Sequence, residues 1–106
     1  MTYAELLLLT KHYHEEKEYL ENGYFRIRQK DPQHYELAFL KVDGCGTTSV
    51  SPQITVEVID EQVRAIGLMD MYAAPIRTIV QSEETADLLE QELSQLVTKF
   101  KLAKKI

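Results

Sequence analysis

Residues 24–40, Tyr-Phe-Arg-Ile-Arg-Gln-Lys-Asp-Pro-Gln-His-Tyr-Glu-Leu-Ala-Phe-Leu, decide the fold. Phe25 and Ile27 alternate with Arg26 and Arg28, and Tyr35, Leu37 and Phe39 resume the same period of two after Lys30-Asp31-Pro32-Gln33. Two half-buried strands joined by a tight turn produce this pattern. Asp31 favours the first position of a type I turn, and Pro32 presets the φ angle of the second. The stretch therefore predicts an antiparallel hairpin with one apolar face.

A second hairpin is expected downstream. Ile54, Val56 and Val58 alternate with Thr55 and Glu57, and Asp60-Glu61-Gln62 turns the chain into Val63 to Leu68. Between the hairpins, Asp43 to Pro52 is rich in Gly, Ser and Thr and reads as a mobile connection. Met69 to Pro75 reads as a connector. Ile76 to Val80 is short and β-branched and suits a fifth strand, with Pro75 favouring a sheet edge or strand end.

Helices are expected at both ends. Thr2 and Glu5 have capping-box spacing, Tyr3, Leu6, Leu7, Tyr13 and Leu20 recur at helical intervals, and Gly23 supplies a stop, so the first helix is predicted from Thr2 to about Glu21. Leu8 and Leu9 widen its apolar stripe, so this helix is expected to touch two surfaces. In the last segment Ser82 is the expected cap, and Leu89, Leu93, Leu96, Val97 and Phe100 form one stripe. Glu83, Glu84, Asp87, Glu90 and Glu92 precede Lys99, Lys101, Lys104 and Lys105, a charge order that complements the helix dipole. The predicted fold is one α+β domain over residues 1–106. It has an antiparallel sheet of about five strands, two hairpins plus one strand, with both helices on one face.

Composition narrows the function classes. At 106 residues, 44% hydrophobic and 27% charged, the chain is long enough for a core without a staple. Its single cysteine, Cys45, allows no intrachain disulfide and fits a reducing cytoplasm. The apolar run Leu6–Leu9 is too short for a membrane span and lacks a basic leader, so no membrane association and no signal peptide are expected. A net charge of −5 argues against nucleic acid as a partner.

The local motifs favour structure over chemistry. Asp43, Gly44, Cys45, Gly46, Thr47 and Thr48 form the most suggestive stretch, with glycines that would let backbone amides face an anion or thiolate. A phosphatase-type loop needs an arginine six residues after the cysteine, where Ser51 stands. The glycines lack the third member of a dinucleotide turn, no Gly-Lys-Ser/Thr follows, and one acid does not make an EF-hand. His12 and His14, two apart on the predicted helix, would point about 200° apart and share no ion. His14 with Glu18, joined by His34, makes at most a weak set, so no metal and no cofactor are expected. The carboxylates at Glu15, Glu16, Glu18 and Glu21 read as a solvated helix face.

What remains is the sheet face opposite the helices. Parity assigns it Tyr24, Arg26, Arg28, Glu36, Leu40, Thr55, Glu57, Ile59, Arg64, Ile66, Arg77 and Ile79, with every arginine of the chain included. Tyr24, Arg26, Arg28, Leu40, Arg64, Ile66 and Arg77 would form an interaction surface, the arginines supplying forked hydrogen bonds and the aliphatics buried area. The expected function is a non-enzymatic protein-interaction or regulatory module, self-associating as a homodimer. The alternative is a small-ligand-binding protein or minor thiol-dependent enzyme using the 43–52 loop, with Cys45 at the mouth of its pocket.

Overall fold

Thr2 opens the first helix as its spacing requires. Its hydroxyl accepts the Glu5 N–H at 3.1 Å, and the Glu5 carboxylate accepts the Thr2 N–H at 2.9 Å. The computed structural model describes residues 1–106 and continues through α1 (Tyr3–His12), β1 (Glu18–Leu20), β2 (Gly23–Asp31), β3 (His34–Val42), β4 (Thr48–Ile59), β5 (Gln62–Asp70), β6 (Arg77–Val80) and α2 (Ala86–Lys104). The strands form one six-stranded antiparallel meander in the order β1-β2-β3-β4-β5-β6.

The first helix is half its predicted length. Tyr13 is extended, with φ −124° and ψ 149°, which takes its ring off the helical path and into the core. There its hydroxyl donates to the Phe100 carbonyl oxygen at 2.6 Å. Residues 14–17 carry no apolar side chain to hold a further turn against the sheet. Glu18–Leu20 instead pair with β2, Glu18 opposite Phe25 and Leu20 opposite Gly23, adding a sixth strand. Gly23 tolerates no side chain, because a Cβ there would run into the Phe39 ring.

Each hairpin turn has a local cause. Asp31 accepts the Gln33 N–H at 2.8 Å, so Pro32-Gln33 form the expected tight turn. Asp60 and Glu61 both take positive φ, 50° and 62°, the backbone of a two-residue turn that matches strand twist. The predicted 43–52 connection is also a hairpin turn, only residues 43–47 long. The Asp43 carboxylate closes it by accepting the Cys45 and Thr47 amides and the Thr47 hydroxyl. β4 starts at Thr48 and absorbs Ser51-Pro52 as a bulge opposite Phe39, because Ala38 pairs with Gln53 while Leu40 pairs with Val50.

That bulge inverts the parity of β4. Ile54 and Val56 face the helices, whereas Val50 joins Ala38 and Leu40 on the other face. A second bulge leaves Ile66 as the extra residue between the Val56–Ala65 and Thr55–Gly67 pairs. Both helices cover the same face, as expected. Sixteen buried residues form one cluster: Leu6, Leu9 and Tyr13 from α1's end of the chain, five from α2, and Phe25, Ile27, Leu37, Phe39, Ile54, Val56, Ala65 and Leu68 from the sheet. Each large apolar side chain buried there contributes about 1.5–3 kcal/mol.

The expected cap of α2 is offset by three residues. Ser82 caps a preliminary turn, its hydroxyl accepting the Thr85 N–H at 3.2 Å, and the helix proper begins at Ala86. The two chain ends then clasp. Besides the Tyr13–Phe100 bond, Lys101 Nζ reaches Glu5 at 2.5 Å and Lys104 Nζ reaches the His12 carbonyl oxygen at 2.5 Å. No helix is long and apolar enough to cross a membrane.

Candidate interaction surface

The uncovered sheet face carries an internally bonded polar network. Glu36 lies on β3 with 6% of its surface exposed and accepts Arg28 Nε at 2.9 Å and Arg28 Nη2 at 2.6 Å. Its second oxygen accepts Gln53 Nε2 at 3.3 Å and has Lys30 Nζ 3.7 Å away. Gln53 in turn accepts Arg26 Nη2 at 3.1 Å. Burial, and after it the neighbouring Arg28, pulls the Arg26 guanidinium below its ordinary pKa. Arg26 Nε is buried without a partner.

The predicted surface residues do not form one patch. Tyr24, Arg26 and Arg28 share this face as expected, with Tyr24 edge-on to Tyr19 at 5.1 Å between ring centroids. Leu40 is only 4% exposed and packs with Ala38 and Val50, so it supports the face instead of presenting surface. Arg64 stands apart, beside Glu57 at 3.7 Å, at the far end of a string in which His34 lies 2.8 Å from Asp31 and 3.4 Å from Glu57. The Asp31 hydrogen bond raises the His34 pKa, and His34 lowers that of Asp31. Ile66 is half-buried at its bulge, where simple alternation stops.

Arg77 is a correction. Its guanidinium donates to Glu92 of α2 at 2.9 Å, and Ile79, of the same parity, packs against the helix-side core. β6 is therefore phased opposite to the expectation, because the bent 71–75 connector resets the alternation. Arginines from β2, β5 and β6 occupy separate places.

The 43–48 stretch is a turn with its amides already used. Asp43 binds the Cys45 and Thr47 N–H groups at 2.9 and 3.2 Å and the Thr47 hydroxyl at 2.6 Å, which together hold the Asp43 carboxyl below the usual carboxylate range, the hydroxyl most strongly. An anion approaching those amides meets a carboxylate. Cys45 is exposed. Thr48 belongs to β4, where its hydroxyl accepts Lys17 Nζ at 2.8 Å.

The histidine argument also changes its footing. His12 ends α1 and His14 lies beyond it, so a helical angle no longer separates them, yet no three His, Cys, Asp or Glu residues converge with metal-ligating geometry.

The surface that sequence reasoning missed is the β5–β6 margin. Met69, Met71, Tyr72, Ile76 and Val80 are 39%, 49%, 48%, 59% and 72% exposed, all within twelve residues of chain. Val80 stands opposite Gly67, which offers it no side chain to pack against. The concavities are open grooves. A groove of about 560 Å³ runs between the β4–β5 turn and the start of α2, lined by Glu57, Asp60, Arg64 and Glu90 among others. Another of about 280 Å³ lies between the β1–β2 turn and α2, beside Leu102, which is 70% exposed. Lys99 crosses the nearby Phe39 ring at 4.0 Å, and burial, then Lys41, lowers its pKa. The chain matches no protein-family model, no curated protein and no solved structure.

Proposed function

We propose that this chain is a non-enzymatic protein-interaction module that self-associates, with the β5–β6 margin as its contact surface. The observation that carries the reading is the exposure of Met69, Ile76 and Val80 around the last strand of the sheet; Met71 and Tyr72 lie toward β4 and β3, where the Met71 N–H meets the Val50 carbonyl oxygen and Lys41 lies over the Tyr72 ring. Scattered apolar exposure is ordinary, but exposed apolar side chains along an open sheet edge suit contact with another protein. The margin replaces the arginine face as the preferred contact, because Arg28 and Arg26 are already engaged with Glu36 and Gln53. The exposed thiol of Cys45 suits a reducing, cytoplasmic setting.

Light scattering across a concentration series tests the reading. A dimer is expected for the native chain, and the double substitution Ile76→Lys, Val80→Lys is expected to leave a folded monomer. A native chain that stays monomeric at every concentration refutes self-association. A double variant that still dimerises removes the margin as the contact.

A further inference from the structure

The polar network on the uncovered face holds more positive charge than it neutralises. Arg26, Arg28 and Lys30 stand at alternate positions of β2, and Lys17 reaches the same face, its Nζ 5.1 Å from the centre of the Tyr24 ring and bonded to Thr48. One carboxylate, Glu36, answers these four cations; it accepts two bonds from Arg28 and has Lys30 Nζ 3.7 Å away. Asp31 and Glu57, toward the β2–β3 turn, are engaged with His34 and Arg64. A local excess of positive charge therefore lies along β2, in a chain whose net charge is −5.

Hydrogen-bonding capacity is left over as well. A guanidinium carries five N–H donors. Arg28 commits Nε and Nη2 to Glu36, and Arg26 commits Nη2 to Gln53. Neither Nη1 group has a partner within the chain, and Arg26 Nε is buried without one. Such a guanidinium has given up hydration without gaining a counter-charge of its own, so a carboxylate brought to its Nη1 edge gains more than it would at an open surface. Lys30, 52% exposed, faces Glu36 at a distance too long for a hydrogen bond and keeps its donors for another acceptor.

We infer that this face receives a short, extended, acidic segment of another protein, whose carboxylates at alternate positions meet Arg26, Arg28 and Lys30. The spacings agree: side chains two apart on β2 lie about 7 Å from one another, and an extended segment presents its own alternate side chains at the same interval. A second copy of the chain does not supply this pattern. Nowhere in the sequence do three alternate positions carry acids, the longest such runs being the pairs Glu16 with Glu18 and Glu90 with Glu92. Nucleic acid fits less well. The Tyr24 ring is already met by Lys17 and Tyr19, and a long polyanion feels the repulsion of the whole chain, whereas a short segment feels the charges within about 10 Å. The face lies on β2 to β4, away from the β5–β6 margin, so this contact stands independently of the self-association proposed above.

A blocked peptide with glutamate at three alternate positions and threonine between them, titrated into the isotope-labelled chain at low salt, tests the inference. Saturable NMR shifts are expected at the amides of β2 and β3, and an isomer with its glutamates consecutive is expected to bind more weakly. Arg26→Gln and Lys30→Gln should each weaken the complex about three- to tenfold. Lys30 is half exposed, so its substitution keeps the test open if the loss of Arg26 disturbs the fold. Absence of saturable shifts, or a peptide affinity unchanged in Lys30→Gln, overturns the inference. Equal binding by the isomer reduces the face to a generic cationic patch and overturns it too. A thymidine oligonucleotide of equal charge that binds as tightly as the peptide overturns it in favour of nucleic acid, and loss of the chain's own association in Lys30→Gln does so in favour of a second copy.

Discussion

Replacing Tyr13 by Phe separates the hydroxyl from the ring at the point where the two ends of the chain meet. The ring is 2% exposed and lies 4.8 Å from Phe100 and 5.8 Å from Phe25, contacts that Phe retains. What is lost is the bond to the Phe100 carbonyl oxygen, worth about 1 kcal/mol net, or a fall in Tm of about 4 °C for a domain of this size. The same hydroxyl makes the loss depend on pH. Desolvation, with a smaller push from Glu18, raises the Tyr13 pKa from 10.0 to about 12. The native state therefore keeps a proton that the unfolded chain releases above pH 10, and the stability Tyr13 confers is complete below pH 10 and declines as pH rises toward 12. At pH 11 this release favours the unfolded native-sequence chain by about 1 kcal/mol, an effect Tyr13→Phe does not share. Urea unfolding at pH 7 and pH 11 should show Tyr13→Phe less stable by about 1 kcal/mol at the lower pH and nearly equal at the higher. A gap of the same size at both would refute a buried, proton-retaining hydroxyl.

Three further outcomes follow from the geometry. Gly23→Ala forces a Cβ against the Phe39 ring and the Leu40 carbonyl, so unfolding free energy should fall by about 1–3 kcal/mol, and a urea midpoint equal to the native value would contradict the close approach. Glu36→Gln removes the charge that Arg28, Arg26 and Lys30 surround; with Arg28 43% exposed, solvent screening reduces the cost to about 2 kcal/mol, and a chain as stable as the native one would show the network to be energetically idle. Asp31→Asn should lower the NMR titration midpoint of His34 toward 6.5, since the Asp31 bond is the main cause of its elevation. The His34 contribution to native stability is present below its unfolded pKa and is lost as pH rises through the raised folded value, so an unmoved midpoint would dissociate the pair.

The hairpins and α2 are legible because their signals are local. A period of two around Asp31-Pro32 and an apolar stripe from Leu89 to Phe100 each specify an element without reference to the rest of the chain. α1 overran because Tyr13 fits a helical stripe as well as it fits the core; only its partner 87 residues away decides between them. β1 was hidden for a related reason, being three residues long and recognisable only by its pairing with β2. Parity failed where the bent connector reset the count, which moved Arg77 and Ile79 to the helix side, and the bulge at Ser51-Pro52, inside a stretch read as a connection, sets Val50 on the uncovered face. The β5–β6 margin escaped notice because the exposure of Val80 depends on β6 being last in the sheet, and strand order leaves no trace in periodicity.

The clasp between the chain ends bears on how this protein is made. Each strand pairs with the one synthesised just before it, so every strand emerges with its partner already made. Its apolar face waits. Until residues 86–106 leave the ribosome, Phe25, Phe39, Leu37 and Ile54 have no α2 above them, and Tyr13 has no Phe100. At about 5–20 residues per second that interval lasts roughly one to four seconds, ample time for the bare sheet to meet another nascent copy or a chaperone. A message truncated before residue 86 would release the same half-covered sheet permanently, and its product should be found in aggregates or degraded, not as a smaller folded protein.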